Sequence, residues 1–372
     1  MNEGCKMVSV IKRRRWVWFI IGLIWSGSCE QNPVSVNGLR IIQKEYKGAL
    51  IINEGHFQQG DASLSYFDVD SQLVYQNVFK QINGEDLGDV ANSIYIRDSL
   101  AYIVINNSDK IEIIDTRSFK RHRKINLPAG TSPRHLAISG NSELMITSLY
   151  GGKVLSVDPE SGSIIAEIPV GKNPEELLLI NEKAFVANSG FGSGHTISVI
   201  GLPGFIIRPE IGTGDNPRFL RLDKSSRIHV LCSGAYNDWS DPEDDTPGGI
   251  WVIDPETETV SDSLVFAAGI HPGKFDISAA GIGFVIKDNG ILTYDSETLA
   301  VIEDNLIGSR SMTPYALRFS NNENLLYILD AVDYISAGKL WIYDPEDSDL
   351  RGPYPTGAIP GDLAFIFEQV DE

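Results

Sequence analysis

A short motif, proline followed three residues later by leucine or phenylalanine, recurs along this sequence and constrains its fold more than any other feature. The six copies begin at Pro133, Pro174, Pro217, Pro272, Pro314 and Pro360, at intervals of 41, 43, 55, 42 and 46 residues. Each copy opens a run of alternating apolar residues, which is the pattern of a half-buried strand. A period in this range indicates a repeat architecture in which each unit is one supersecondary element.

A second marker, an apolar strand that ends in aspartate and a turn, also appears six times. The aspartates are Asp68, Asp115, Asp158, Asp254, Asp295 and Asp344, and the last residue of the strand at Gly201 takes the place of a further copy. Three of the turns read Asp-Pro-Glu, in which proline fixes φ and the aspartate side chain accepts hydrogen bonds from the next amides. We therefore interpret these aspartates as turn formers rather than as a catalytic set.

Both markers together give four short strands per repeat, the signature of a β-propeller blade. The first repeat has strands at 49–53, 64–68 and 73–79 but lacks a proline strand before them, and the last proline strand, at Pro360, has no blade after it. The C-terminal strand is therefore expected to complete the first blade. The sequence predicts an all-β fold, a seven-bladed β-propeller of four-stranded blades over residues 47–372. The 35 glycines and 18 prolines agree with many tight turns.

The segment before the repeats has the pattern of an export signal. Four basic residues, 12–15, precede a ten-residue apolar run, 16–25, which is too short to span a bilayer as a helix. The small residues 26–28 then lead into Cys29, which resembles the acylation site of bacterial lipoproteins. We interpret 1–28 as a lipoprotein signal peptide and 29–46 as a tether. The alternative is an ordinary cleaved signal in which Cys29 has no role.

Charge and motifs exclude several classes of function. The formal net charge is −19, which repels a nucleic-acid backbone at long range. The sequence contains no nucleophile elbow, zinc-protease, Cys-x-x-Cys, phosphate-loop or EF-hand motif, and its six histidines are dispersed. It therefore predicts no cofactor and no metal site. The acidic run at 238–245 fits either a solvated loop or a calcium site, although its proline-broken spacing favours the solvated loop.

Propellers bind ligands at one mouth of the central channel, and the loops expected there carry aromatic, amide and charged side chains. Such residues on a rigid ring suit recognition of a polar organic ligand. For the asparagines at 106 and 107, a role in forming the turn is as good an explanation as a role in ligand binding. The long fifth repeat, with Tyr236 and Trp239 between glycines, is expected to act as a lid. The candidate ligand-binding residues are Asn53, His56, Phe57, Asn106, Arg134, Tyr150, Asn188, Phe191, Arg218, Tyr236, Trp239, Asp330 and Tyr334.

The stretches 173–188, 197–200 and 133–171 resemble the YVTN (YncE-like) seven-bladed propellers, and the long fifth repeat is similar to their surface-lipoprotein branch in Bacteroidetes. The resemblance covers about residues 47–367 and implies a propeller fold. It also implies association with TonB-dependent outer-membrane receptors and, for some members, capture of corrinoids such as vitamin B12.

Two functions are compatible with these observations. The first is a non-catalytic outer-membrane lipoprotein that captures a small polar nutrient or docks on a receptor, is monomeric apart from that receptor, and binds no nucleic acid. The alternative is a periplasmic propeller enzyme, either lactonase-like or similar to the quinoprotein dehydrogenases. An enzyme requires converging titratable groups at the channel mouth. In the sequence alone the titratable candidates are scattered, which favours the binding module over the enzyme.

If Cys29 is the acylated N-terminus, the Cys29→Ala variant will lose its lipid. We expect the variant to fractionate as soluble or uncleaved protein, whereas the parent enters the detergent phase of a phase-partitioning assay. Unchanged detergent partitioning of Cys29→Ala would show that another element anchors the chain.

Overall fold

The computed structural model describes residues 47–236, 245–308 and 311–366 in full, together with the backbone of a short hairpin before them. The hairpin pairs β1 (Val34–Val36) with β2 (Leu39–Ile41). The rest of the described chain forms seven antiparallel blades in a ring, which confirms the predicted β-propeller. The predicted signal peptide and Cys29 lie outside the described residues, as does most of the predicted tether.

The strands follow one another blade by blade. Blade 1 begins with β3 (Gly48–Asn53), β4 (Ser63–Asp68) and β5 (Leu73–Tyr75), followed by the helix α1 (Val78–Asn83). Blade 2 contains β6 (Ala91–Arg97), β7 (Leu100–Ile105), β8 (Lys110–Asp115) and β9 (Arg121–Asn126). Blade 3 contains β10 (Pro133–Ile138), β11 (Leu144–Ser148), β12 (Lys153–Val157) and β13 (Ile164–Pro169). Blade 4 contains β14 (Pro174–Ile180), β15 (Lys183–Asn188), β16 (Thr196–Gly201) and an outer strand in two pieces, β17 (Ile206–Ile207) and β18 (Ile211–Gly212).

The second half of the ring repeats the same order. Blade 5 contains β19 (Pro217–Leu222), β20 (Ile228–Cys232), β21 (Gly249–Asp254) and β22 (Thr259–Val265). Blade 6 contains β23 (Phe275–Ile277), β24 (Ile282–Lys287), β25 (Gly290–Asp295) and β26 (Val301–Glu303). Blade 7 contains β27 (Pro314–Ser320), β28 (Leu325–Asp330), β29 (Ala337–Asp344) and β30 (Asp349–Ala358), and β31 (Pro360–Ile366) follows it. Single 3-10 turns lie at Asn106–Ser108 and Gly190–Gly192.

The C-terminal strand closes the ring as the unmatched proline motif predicts. β31 pairs antiparallel with β3, from Gly48 opposite Ile366 to Asn53 opposite Pro360, so it becomes the inner strand of blade 1. Closing the ring in this way leaves no unpaired inner edge at the junction of the two chain ends.

The apolar core is divided among the seven interfaces between neighbouring blades. Successive side chains of a strand point to opposite faces of its sheet, so each blade contributes to two interfaces. In β3, Leu50 and Ile52 pack against blade 2, whereas Ala49 and Ile51 pack against blade 7. The same division holds for each pair of neighbours, which gives seven apolar clusters. Because the core forms a ring, the centre of the molecule is left to the inner strands.

The six strand-ending aspartates are turn formers, as predicted. Each of their Oδ1 atoms accepts a hydrogen bond from the backbone N–H two residues later. In Asp115, Asp158, Asp254 and Asp295 the same atom also accepts the amide three residues later. None of these side chains points into the channel, so they form no catalytic set.

The prediction of a strand over 73–79 is wrong for residues 76–79. The strand ends at Tyr75, and a turn at Asn77, whose φ is 55°, leads into α1. Val78 and Phe79 are fully buried in the apolar cluster between blades 1 and 2, so a helix places both side chains into the same space. The guanidinium of Arg121 lies 5.3 Å from the centre of the Phe79 ring and covers it from the solvent side.

Removing residues 360–372 should destabilise the whole ring, because blade 1 then loses its inner strand and blade 7 loses its neighbour. We expect the melting temperature, followed by circular dichroism, to fall by at least about 10 °C or the cooperative transition to disappear. A truncation that stops after Ile366 keeps β31 and isolates the effect of the strand. Melting of the longer deletion within a few degrees of the parent would contradict the closure.

Candidate functional site

The inner strands of the seven blades line a central channel that is open at two ends. We call the end built by the loops that follow the second strand of each blade the loop-side mouth. The other end, at the turns between the first and second strands, is the turn-side mouth. Each inner strand runs from the first mouth towards the second, so the residue after its proline lies nearest the loop side.

A belt of ion pairs crosses the middle of the channel and joins consecutive blades. Glu176 Oε1 lies 2.7 Å from Arg221 Nη1, and Arg221 Nε donates to Asp276 Oδ1 at 3.1 Å. The second oxygens of the two carboxylates accept backbone N–H groups of the next blade, those of Leu220 and Phe319, at 2.9 Å. Blades 4, 5, 6 and 7 are thereby connected through four charge-assisted hydrogen bonds.

The same belt continues across the closure of the ring. Arg318 Nε donates to Asp362 Oδ1 at 3.1 Å, and Asp362 Oδ2 accepts the N–H of Ile94 at 3.4 Å, so one side chain of blade 1 joins blades 7 and 2. The hydroxyls of Ser93 and Thr147 donate to the carbonyls of the following blades and complete the circuit. Burial raises the pKa of Asp362, but Arg318 and Lys274 outweigh it and hold the pKa below its ordinary value.

Nearer the loop side, Arg134 is fixed by two partners. Its Nε donates to Glu175 Oε2 and its Nη1 donates to Asn92 Oδ1, both at 2.8 Å, so it connects blades 2, 3 and 4. Burial opposes ionisation of Glu175, yet Arg134 and Arg218 hold its pKa below the usual value. This pair is therefore an ionised, structural contact at neutral pH.

Glu54 is the unusual titratable group of the channel. Tyr315 Oη donates to its carboxyl group, at 3.1 Å from Oε1 and 3.2 Å from Oε2, and within the described residues no cationic atom lies within ion-pair distance of it. Burial raises the pKa of Glu54, and the more distant charges of Lys274, Arg134 and Arg218 offset this only in part. A Cβ on Gly361 would lie 2.5 Å from Glu54 Oε1, so only glycine leaves room for the carboxyl group.

Lys274 extends from blade 6 across the channel to blade 1. Its ammonium group donates to the carbonyl of Gly361 and lies 5.6 Å from the ring centres of Phe219 and Tyr315. Burial lowers the pKa of Lys274, which Asp362 and Glu54 partly oppose. The lysine thus connects the loop-side groups with Asp362 of the belt.

Arg218, like Lys274, has no carboxylate within ion-pair distance among the described residues of this mouth. Within the described residues its guanidinium forms no ion pair and no hydrogen bond, and its one close contact is the ring of Phe219, 5.0 Å away. It nevertheless lowers the pKa of Glu54, Glu175 and Tyr315, which places it among these groups. We call Glu54, Arg134, Glu175, Arg218, Lys274 and Tyr315 the loop-side cluster.

Exposed aromatic side chains surround the loop-side cluster. The Tyr150 and Phe191 rings lie 6.0 Å apart, and Tyr334 meets Tyr315 edge to face at 5.6 Å. Tyr236 stacks on His271 with ring centres 3.7 Å apart. Phe57, Tyr150, Phe191, Tyr236 and Tyr334 all have more than two fifths of their surface open to solvent. These five of the six predicted aromatic residues therefore lie at the surface of this mouth.

Four of the predicted site residues are buried and hold the framework. Asn53 and Asn188 donate to serine hydroxyls of the adjacent strand, and Asn106 donates to Ser132 Oγ and the carbonyl of Pro133. Asp330 accepts the amides of residues 313 and 332 and the indole N–H of residue 341. For Asn106 these contacts support the turn-shaping alternative.

His56 bridges blades 1 and 7 at the same mouth. Its Nδ1 lies 2.7 Å from Asp61 Oδ2 and its Nε2 lies 3.0 Å from the carbonyl oxygen of Ile335. Both neighbours are acceptors, so the geometry fits a ring that carries two protons, and hydrogen bonding to Asp61 raises the pKa of His56. The predicted Trp239 and the acidic run at 238–245, apart from Asp245, lie outside the described residues, and Asp245 Oδ2 lies 2.9 Å from His271 Nε2.

The sequence did not single out Glu54, Glu175 and Lys274 as site residues. A signal for Glu175 and Lys274 was present, since they follow a repeat proline by one or two residues, as Arg134 and Arg218 do. Glu54 comes from the loop after β3, and its hydrogen-bond partner Tyr315 lies 261 residues away in the sequence.

Among the described residues no group of three or more His, Cys, Asp or Glu side chains is arranged to hold a metal ion. In the same part of the chain no helix is long and apolar enough to cross a membrane.

The fold and the charged channel define a seven-bladed β-propeller. A family model described as a domain of unknown function, DUF5074, matches residues 47–207, which cover three of the four strands of blade 1, blades 2 and 3, and most of blade 4. No curated protein matches the sequence.

Solved structures with the same fold include proteins of several kinds. A quinoprotein alcohol dehydrogenase-like protein from Bacteroides thetaiotaomicron is 15% identical, with a TM-score of 0.65 over 87% of this chain and 79% of that one. A functionally unknown protein from Desulfotomaculum acetoxidans is 14% identical, with a TM-score of 0.64 over 86% and 98% of the two chains. Virginiamycin B lyase from Staphylococcus aureus is 16% identical, with a TM-score of 0.55 over 70% and 83%. At these identities the likeness shows the fold alone.

Replacing Arg221 with methionine should strongly destabilise the ring, because Glu176 and Asp276 both lose their guanidinium partner while they stay inside the channel. Removing one partner of a buried ion pair costs about 3–5 kcal/mol. The free energy of unfolding is measured by denaturant titration. The matched control is Arg123→Met, which breaks a surface pair with the largely exposed Glu160, and an exposed pair contributes about 1 kcal/mol or less. Equal losses in the two variants would show that the belt is not a stabilising element.

Proposed function

We propose that the protein is a non-catalytic binding module whose loop-side mouth captures a small polar organic ligand that carries a negative charge. The observation that supports this most directly is Arg218, a guanidinium without a carboxylate partner among the described residues, beside the aromatic rim. Guanidinium groups bind carboxylate or phosphate oxygens through two parallel hydrogen bonds. Exposed tyrosine and phenylalanine rings add contact area at a low cost in conformational entropy.

The balance of charge at this mouth favours an anion. Arg134 and Glu175 neutralise each other, whereas Arg218 and Lys274 act on the carboxyl group of Glu54, and the other carboxylate near Lys274, that of Asp362, already pairs with Arg318. Burial raises the pKa of Glu54, so protonation of this group leaves an excess of positive charge in the cluster. A protonated carboxyl group also supplies a hydrogen-bond donor to the ligand.

The cellular setting of the proposal comes from the N-terminal sequence and the resemblance to YncE-like propellers. A lipid on Cys29 would hold the propeller at the outer membrane, where it would deliver its ligand to a TonB-dependent receptor or dock on that receptor. Corrinoids such as vitamin B12 are one ligand class that the resemblance implies. They carry a phosphodiester group, which suits Arg218.

One observation favours an enzyme as the second candidate. A half-buried carboxyl group with a raised pKa, hydrogen bonded to a tyrosine at the mouth of a cleft, is the type of group that acts as a general acid. Glu54 and Tyr315 meet this description, and several propellers of the same fold are enzymes. Turnover of a bound ligand would favour this candidate over the binding module.

Arg218→Ala should weaken ligand binding at least tenfold, because the unpartnered guanidinium is removed while the Arg134–Glu175 pair remains. Binding is measured by isothermal titration with cyanocobalamin, citrate and glucose 6-phosphate as probes. The matched control is Arg208→Ala, which removes an arginine paired with Glu258 on the outside of the ring. Equal affinity of parent and Arg218→Ala for a probe that binds would place the site elsewhere.

The affinity for an anion should fall as pH rises through the raised pKa of Glu54, since the ionised carboxylate repels the ligand. In Glu54→Gln the side chain stays neutral, and this part of the pH dependence should disappear. A pH profile that is unchanged in Glu54→Gln contradicts the role of Glu54. Appearance of a product, followed by chromatography of the incubated probe, would replace the non-catalytic proposal with the enzyme.

A further inference from the structure

The turn-side mouth contains a cavity that the proposed function does not use. Its volume is about 620 Å³, within the range of roughly 300–1,000 Å³ for pockets that bury drug-sized molecules. It is lined by the inner strands of blades 1 to 5 and by Arg318 of blade 7, and it includes no residue of the loop-side cluster. We call this cavity the turn-side funnel.

The wall of the turn-side funnel is mainly apolar. Ala137, Ile138, Leu179, Leu222 and Phe365 contribute to it, and none of them is fully buried. Leu222 and Tyr95 at the rim expose 36% and 38% of their surface. Apolar surface open to water in a concave site is stabilised when a ligand covers it, by about 25 cal/mol for each Å².

The inner end of the funnel, which we call its floor, lies at the belt of ion pairs and is polar but balanced in charge. The guanidinium groups of Arg221 and Arg318 already face Glu176 and Asp362. An incoming anion would meet these carboxylates at close range, and an incoming cation would meet the guanidinium groups. Because charge brought into a buried site needs a partner, the floor favours an uncharged ligand.

One side chain on the floor keeps a free hydrogen-bonding capacity. The ring nitrogens of His135 form no hydrogen bond within the described part of the chain, and the nearest carboxylate oxygen, Glu176 Oε1, is 3.7 Å from Nδ1. The side chain is 15% exposed and lines the cavity. Burial lowers the pKa of His135 to about 4, so at neutral pH the ring is uncharged and offers one donor and one acceptor.

We propose that the turn-side funnel is a second binding site, which takes an uncharged and mainly apolar small molecule whose polar group hydrogen bonds to the imidazole of His135. The apolar body of such a molecule covers the aliphatic wall, and its polar group reaches the one floor side chain with a spare donor and acceptor. The lining of this site shares no residue with the loop-side cluster.

The test uses the neutral fluorescent probe N-phenyl-1-naphthylamine, an apolar two-ring body with one N–H group. Titration of the full-length protein should give a saturable fluorescence increase with one site per chain. Ala137→Trp fills the funnel and should weaken binding at least tenfold, whereas the matched variant Ala137→Ser should stay within about twofold of the parent. His135→Phe keeps the ring shape but loses the hydrogen bond, and it should weaken binding about fivefold.

One further variant and one further probe complete the test. Leu222→Arg alters the exposed rim without touching the core and should also weaken binding, so the location is tested even if Ala137→Trp does not fold. The anion 8-anilinonaphthalene-1-sulfonate adds a sulfonate to the same rings and should bind at least tenfold more weakly. Parental affinity in both Ala137→Trp and Leu222→Arg, sulfonate binding as tight as that of the neutral probe, or no saturable binding to the parent would each overturn the proposal.

Discussion

The contact on which the ring most depends is the one at its closure, where Asp362 of the C-terminal strand joins blades 7, 1 and 2. Its Oδ1 accepts from Arg318 and its Oδ2 accepts from the backbone of Ile94, so a single carboxylate spans the junction of the two chain ends. Apolar packing between blades supplies the main driving force, but such packing is non-directional. The hydrogen bonds of these charged groups fix the position of each inner strand along the channel axis relative to the inner strand of the next blade. They do so around the whole channel.

The repeat architecture was predictable from the sequence because its determinants are local. Proline at the start of the inner strand and aspartate at the end of the third strand act on their own neighbours, so the motifs reveal blade number and strand order. Even the closure was visible, since Pro360 lacked a blade of its own. The failure at residues 76–79 has a different origin. Phe79 is apolar in either a strand or a helix, and the choice depends on the space left between blades 1 and 2.

The candidate site was predictable only in part, because its chemistry depends on contacts between blades. The partners Arg221 and Asp276 lie 55 residues apart, and Glu54 and Tyr315 lie 261 apart. No local pattern shows which of these charges are paired. Asn53 and Asn188 show the same limit, since an amide in a loop-side position is typical of a ligand site, yet here its NH2 group donates to hydroxyls of its own blade while its Oδ1 accepts no hydrogen bond within the described residues. Arg134 and Arg218 both follow a repeat proline in the sequence. Only the structure shows that Arg134 has a carboxylate partner, whereas Arg218 has none among the described residues.

The two mouths of the channel provide opposite environments within one acidic protein. The net charge of −19 repels anions from outside, but salt limits that repulsion to about 8–10 Å, so the groups at the mouth determine what binds there. On the loop side, Arg218 and Lys274 exceed the ionised carboxylates once Glu54 is protonated. On the turn side, Arg221 and Arg318 of the funnel already face carboxylates and the imidazole of His135 is neutral. The ammonium group of Lys274 donates to the Gly361 carbonyl, next to Asp362 of the belt, so it connects the loop-side cluster with the belt. We propose on these grounds that the ring of inner strands presents a charged site for an anion at one end and an apolar site for a neutral molecule at the other.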